Sequence, residues 1–223
     1  MSMVSHILNT AYVAAAPRGL IGHGVHYGVE DRVFSRAPGA LYSYLLAGDG
    51  VYLVAERGEI GVSFRIAAAQ VRGLEPAAEF FKFRLPRVPE GIVQEVFDTA
   101  LRWAAEGKEC LWHLSYSPMN PWNDGWLVEE PEQERTAATC RPLESGGSHD
   151  RAILEIHSHH SMAARFSSQD DADETGFRLY AVIGRLPNRP EIRLRVGVYG
   201  QFWEIPAIWV MELPEDLRDC NAI

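Results

Sequence analysis

The chain has 223 residues, 47% hydrophobic and 23% charged, and its 30 acidic against 21 basic side chains give a formal net charge of −9. That length can bury one substantial core, or a small domain beside a compact one, and the acidic balance argues against nucleic acid or an anionic membrane surface as the main partner. No apolar run approaches the roughly 20 residues of a membrane span, the first residues lack the charged region of a signal peptide, and three dispersed cysteines without CxxC spacing suit a reducing cytoplasm.

In chain order, residues 1–85 read as a β-rich region of unknown role. Glycines around His23 and His26 mark a turn over 22–26. Alternating patterns at 41–46 and 50–54 flank the turn Ala47-Gly48-Asp49-Gly50 and predict a β-hairpin, which 59–66 continues in the same style. Pro86 and Pro89 mark a connector. Beyond it Ile92, Val93, Val96, Phe97, Ala100, Leu101 and Ala104 recur at helical spacing, which predicts a helix over 90–106, begun by Pro89-Glu90 and ended by Gly107. A strand over 109–115 follows, then a loop over 117–125 rich in Pro and flanked by Trp. Strands over 126–130 and 135–140 lead to a Gly/Ser-rich loop over 144–148. An apolar run from Ala152 predicts a buried strand entering Glu155-Ile156-His157-Ser158-His159-His160. Ser167 or Ser168 then precedes Gln169, Asp170, Asp171, Asp173 and Glu174, the pattern of a capped helix with an acidic first turn. Strands over 179–186, 192–198 and 201–205 complete an α/β organisation, with a division near residue 85.

The His cluster carries the chemistry. In an extended chain residues two apart share a face, so His157 and His159 point one way and Ser158 and His160 the other. Asp170 projects from a helix start back toward the strand end. Two neutral imidazoles and a carboxylate are three ligands for zinc with a fourth position left open, the arrangement of catalytic rather than structural zinc.

The full spacing His157-x-His159, Ser167, x2, Asp170 resembles the JAMM motif of the JAB/MPN metalloprotease family. Its departure is His160, which stands where that family usually has proline and so bears on the stiffness of the turn and on substrate contact. The resemblance implies an MPN fold over 86–223, a cytidine-deaminase-like mixed sheet with flanking helices, and Zn2+ as cofactor. It also implies cleavage of a peptide or isopeptide bond at the C-terminal tail of a ubiquitin-like or sulfur-carrier protein. In the family a catalytic glutamate sits between the first helix and the first core strand, which points to Glu109. Glu155 is the rival because it shares the strand face of His157 and His159, and Glu56 and Glu59 are weaker candidates. By the same resemblance Glu109 moves the proton and Ser167 supports the oxyanion, although N-capping alone explains a serine there. Trp122 and Phe166 are expected in loops beside the zinc, as walls of a groove, whereas Trp112 and Trp203 are expected in the core.

The wording Glu-Cys-Leu-Trp-His-Leu at 109–114 and His-Ser-His-His at 157–160 is similar to the bacterial PRTRC system protein A group, which implies E1-like and E2-like partners. The other readings are a noncatalytic MPN-type docking module, a zinc amidase acting on a small molecule in a closed pocket, and a cysteine protease with His113 or His149 as base. The last has no local signature in the sequence.

Overall fold

The computed structural model describes residues 26–29, 40–143 and 147–222, and the chain divides after Arg84 into two units. Both are mostly sheet, which makes the fold mixed α/β with few helices. Among the described residues no helix is long and apolar enough to cross a membrane.

The first unit is a five-stranded sheet in chain order: β1 (His26–Val29), β2 (Ser43–Ala47), β3 (Gly50–Arg57), β4 (Ile60–Ala68) and β5 (Phe80–Phe83). β1 pairs parallel with β2 and the remaining neighbours are antiparallel. The hairpin expected around 47–50 is present, with Gly48 and Asp49 as its two turn residues. Gly48 is required by close approach, since a Cβ there would lie 2.3 Å from the Leu74 carbonyl oxygen. Asp49 accepts from the Tyr52 hydroxyl at 2.7 Å and the Ala77 N–H at 3.1 Å, tying the segment before β5 to the hairpin. The turn expected over 22–26 lies outside the described residues except for His26, which opens β1.

In the second unit α1 (Glu90–Ala105) buries Ile92, Val93, Val96, Phe97 and Ala100, the helical stripe seen in the sequence. It ends in a Schellman turn. The Gly107 N–H donates to Ala104 O and the Lys108 N–H to Trp103 O, both at 3.0 Å, with Gly107 at φ 69. The reversal delivers Glu109 to the start of β6 (Leu111–Tyr116). β7 (Trp126–Glu129), β10 (Leu154–His159), β11 (Phe177–Gly184), β12 (Glu191–Val198), β13 (Gln201–Ile205) and β14 (Arg218–Asp219) make up the main sheet with β6. Its order is β13-β12-β11-β10-β6-β7, with β14 pairing β12. β10 lies at the centre, parallel to β11 and antiparallel to β6. Its neighbour β11 is buried along its whole length, which explains the apolar run Leu179-Tyr180-Ala181-Val182-Ile183.

Two elements differ from expectation. The strand over 135–140 resolves into a separate hairpin, β8 (Gln133–Arg135) and β9 (Cys140–Pro142). The reason is local: the Thr136 hydroxyl accepts from the N–H groups of Ala138 and Thr139 and turns the chain at 136–139. The loop expected over 144–148 gives way at Ser148 to one helical turn, α2 (Ser148–Arg151), while 144–146 lie outside the described residues. The acidic segment forms a short helix, α3 (Ser168–Asp173), with Ser167 as N-cap.

Candidate metal centre

β10 extends through both histidines, so Glu155, His157 and His159 project from one face of the sheet. The register with β6 then decides which glutamate joins them. His157 pairs with Leu111, and the bond from the Ser158 N–H to Cys110 O continues the ladder. Two residues further along the same register, Glu109 stands opposite His159. The Ser158 hydroxyl, on the other face, accepts from the Cys110 N–H at 3.1 Å and fastens the junction.

Three donor atoms converge. His157 Nε2 lies 3.1 Å from His159 Nε2 and 3.5 Å from Asp170 Oδ1. An ion held tetrahedrally at about 2.0–2.1 Å keeps its ligand atoms about 3.3 Å apart, so these spacings fit a zinc-sized cation. Glu109 Oε1 is farther out, 3.9 Å from His159 Nε2. That places it beyond the ligand trio, at a distance suited to a water bound there.

The shell around the donors sets their chemistry. The Ala163 carbonyl, 3.3 Å from His159 Nδ1, can only accept, which assigns the ring hydrogen to Nδ1 and leaves Nε2 as a lone pair. Burial lowers both imidazoles below the ordinary histidine value, His157 to about 4, so both are neutral at pH 7 as metal ligands must be. Burial pushes Asp170 up, but His157 and the bonds from Ser167 outweigh it and hold the carboxyl below its usual value. Asp170 is fixed by a reciprocal capping box in which its backbone N–H donates to Ser167 Oγ at 3.2 Å and its carboxylate accepts the Ser167 N–H. Capping uses a lone pair of the Ser167 oxygen, so the hydroxyl hydrogen remains available as a donor.

The two candidate glutamates are pushed apart. Burial, then the charge of Asp170, raises Glu109 to about 7. Burial also acts upward on Glu155, but His113, His149 and Arg178 beside it prevail and hold it at about 2. A group near 7 is suited to accept and return a proton at neutral pH, and a group near 2 is not.

The remaining expected residues divide. Phe166 is at the site, its ring edge-to-face with His157 at 6.3 Å. His160 is not directed at the donors; its Nε2 meets the Ala137 carbonyl at 2.9 Å. The stiffness that proline would have supplied comes instead from the bonds Leu186 N–H to His160 O and Arg185 N–H to Met162 O. Trp122, 74% exposed, is not beside the donors. It follows the far end of β6, and five residue steps of strand, about 17 Å, separate that end from the histidines. Trp112 is buried, and Trp203 is half-buried on β13. Cys110 is buried and its thiol is raised to about 11, while His113 and His149 turn toward Glu155, an arrangement without an activated thiolate.

Several residues escaped the sequence. Arg195, buried on β12, donates to Glu174 at 2.7 Å and to Asp171 at 2.5 Å. Its guanidinium is stacked between Phe166 and Phe202. Gln133 acts as a strand in miniature, its amide bonding both the N–H and the carbonyl of Leu111 at 2.8 and 2.9 Å. That holds the β8–β9 hairpin against β6, so that Ala138, Thr139 and Cys140 line a cleft of about 70 Å³ with the donor residues. Such contacts join residues far apart in sequence and leave no local pattern. Compared with known proteins, the chain matches no family model and no curated protein.

Proposed function

We propose that the chain is a zinc-dependent peptidase or isopeptidase of the JAMM type, with an MPN-like second unit, acting on the C-terminal tail of a ubiquitin-like or sulfur-carrier protein. The observation that carries it is the separation of roles at one site. His157, His159 and Asp170 group at ligand spacings, and Glu109 stands just outside them at a shifted proton affinity. Zinc held by the trio would supply Lewis-acid activation of water and of the scissile carbonyl. Glu109 accepts a proton from water and returns it to the leaving amine. The Ser167 hydroxyl hydrogen is directed to the oxyanion, while its oxygen caps α3.

The cleft bears on the substrate class. At about 70 Å³ it is well below the roughly 300–1,000 Å³ of small-molecule sites, which favours an extended segment of small residues over an enclosed amidase substrate. A tail of that kind, delivered by E1-like or E2-like partners in the cytoplasm, fits this opening. The test is Glu109→Gln assayed on ubiquitin-like C-terminal fusions. The variant is expected to keep its fold and one zinc at the trio and to lose cleavage; cleavage at the wild-type rate would remove Glu109 from this role. Binding of an E1-like partner without turnover by the zinc-loaded wild type would favour a docking module.

A further inference from the structure

Next to the centre just described, on the same face of the sheet, His113 of β6 stands opposite Glu155 of β10. The pairing repeats the cross-strand relation of Glu109 and His159 two pleats further along, past His157 and Leu111. His149 of α2 completes a second group. His113 Nε2 and His149 Nδ1 lie 3.5 and 3.4 Å from the same atom, Glu155 Oε2, and the three donors fall within 4.8 Å of one another. We infer that His113, His149 and Glu155 form a second divalent-cation site, for which two imidazoles and a carboxylate make zinc the suited ion.

The decisive observation is a polar atom without a partner. The His113 side chain is 1% exposed, and its Nε2 makes no hydrogen bond. The other ring nitrogen, Nδ1, is 2.8 Å from Ser148 Oγ. With the hydrogen on Nδ1, donated to Ser148, a bare Nε2 lone pair faces a carboxylate oxygen, two acceptors opposed in a buried place. With a hydrogen on Nε2 the 3.5 Å separation is too long for a good hydrogen bond to Glu155, and a doubly protonated ring would be held there by charge alone, the competing arrangement that an ion would replace. A cation between the atoms satisfies both, and Ser148 then acts as the outer partner that fixes the ring. The side chain of His149 is 44% exposed, which opens the group to solvent and leaves a path for the ion and room for water as a further ligand.

Arg178 weighs against a cation here and sets its rank. Its Nη1 donates to the His149 carbonyl at 2.8 Å and, at 3.3 Å, to the His149 Nδ1 lone pair, and it lies 3.8 Å from Glu155 Oε2. The bond to the carbonyl is the shorter, so the guanidinium can keep it while an ion displaces the longer one from Nδ1. It remains a fixed positive charge beside them, and the second ion binds more weakly than the first.

The site uses none of the residues assigned to catalysis and stands without that assignment. The test uses untagged full-length chain, stripped with chelator, titrated with zinc alone by calorimetry and counted by elemental analysis, with circular dichroism as a check of folding. Wild type is expected to take two zinc ions in sequence. His149→Ala, at a half-exposed position, and Glu155→Gln are each expected to lose the weaker one and keep the tighter. The variant with both His157→Ala and His159→Ala is expected to keep only the weaker. A wild type that takes a single ion, lost in the latter variant and retained in His149→Ala, overturns the second site. A single ion lost in His149→Ala and kept in the double variant upholds it and sinks the first centre instead.

Discussion

The guanidinium carbon of Arg195 lies 3.9 Å over the ring of Phe166 and 3.7 Å from that of Phe202, so one buried cation from β12 is clasped by two aromatic faces. Phe166 in turn abuts His157, and the same arginine bonds Asp171 and Glu174, one and four residues after Asp170 on the helix segment that carries it. Arg195 touches no donor atom, yet it braces two of the three.

Replacement of Arg195 by Leu is therefore expected to weaken zinc binding by about 10–100-fold, the usual cost of an outer-shell loss. It leaves Glu174 buried without its partner; burial already raises that carboxyl to about 8 against the pull of Arg195, so the acid stays protonated and the loss is that of a buried hydrogen-bond partner, on the order of 1–3 kcal/mol. Arg195→Lys keeps the charge but not the planar stack, and is expected to recover part of the stability with less of the zinc affinity. Chelator competition and denaturant unfolding of the same variants separate the two effects. Equal zinc affinity in all three proteins would deny Arg195 this bracing role.

Gly184 makes a similar point through contact rather than charge. A Cβ there would meet Ala164 N at 2.4 Å and Met162 O at 2.6 Å. Those atoms belong to the loop whose Ala163 carbonyl orients His159. Gly184→Ala is expected to push this loop away and lower zinc affinity by about tenfold or more while β11 stays paired. Unchanged affinity by calorimetry would mean that the loop has room to yield.

The local half of the site was legible and the long-range half was not. His157, His159, Ser167 and Asp170 lie within one strand, one loop and one capped helix start; strand alternation places the histidines and capping chemistry the helix start, while the choice of Ser167 over Ser168 came from the resemblance. Glu109 was reached through the resemblance, which places a glutamate between the first helix and the first core strand, and the end of α1 at Gly107 located that stretch. By contrast, Arg195, Gln133 and Gly184 act across strand pairings and packing contacts that no periodicity reveals. Trp122 misled for the same reason. Its loop follows β6, and only the antiparallel register shows that it leaves the sheet at the end away from the histidines. Trp122→Ala is thus expected to leave cleavage of a short fluorogenic peptide unchanged; a large rise in KM on that peptide would bring the loop back to the site.

Ser167 carries two roles that different substitutions pull apart. Alanine removes both the cap and the hydroxyl hydrogen, and is expected to cost about 0.5–2 kcal/mol of stability together with about 10²–10³ in kcat. Glycine is tolerated as a cap at a cost of only a few tenths of a kcal/mol. Ser167→Gly is thus expected to restore most of the stability and none of the turnover. Recovery of kcat along with stability would reduce Ser167 to a helix cap.

Glu109 shows what the site costs the fold. Its carboxyl is raised from 4.5 to about 7 by burial and the nearby charge of Asp170. Between those two values the folded, metal-free chain holds a proton that the unfolded chain has released, so stability falls as pH rises through this window and levels off above about 7. The full penalty is on the order of 3 kcal/mol by linkage, present at neutral pH and absent below the unfolded value. Glu109→Gln removes the titration. In chelator, the variant is expected to match wild type near pH 4 and to exceed it progressively up to neutral pH, as read from urea midpoints across the range. A nearby cation favours the charged form of Glu109, so zinc is expected to shrink the difference in wild type. If the two proteins instead track one another from pH 4 to 8 without metal, the carboxyl is not held in the low-dielectric place from which it could serve as the base.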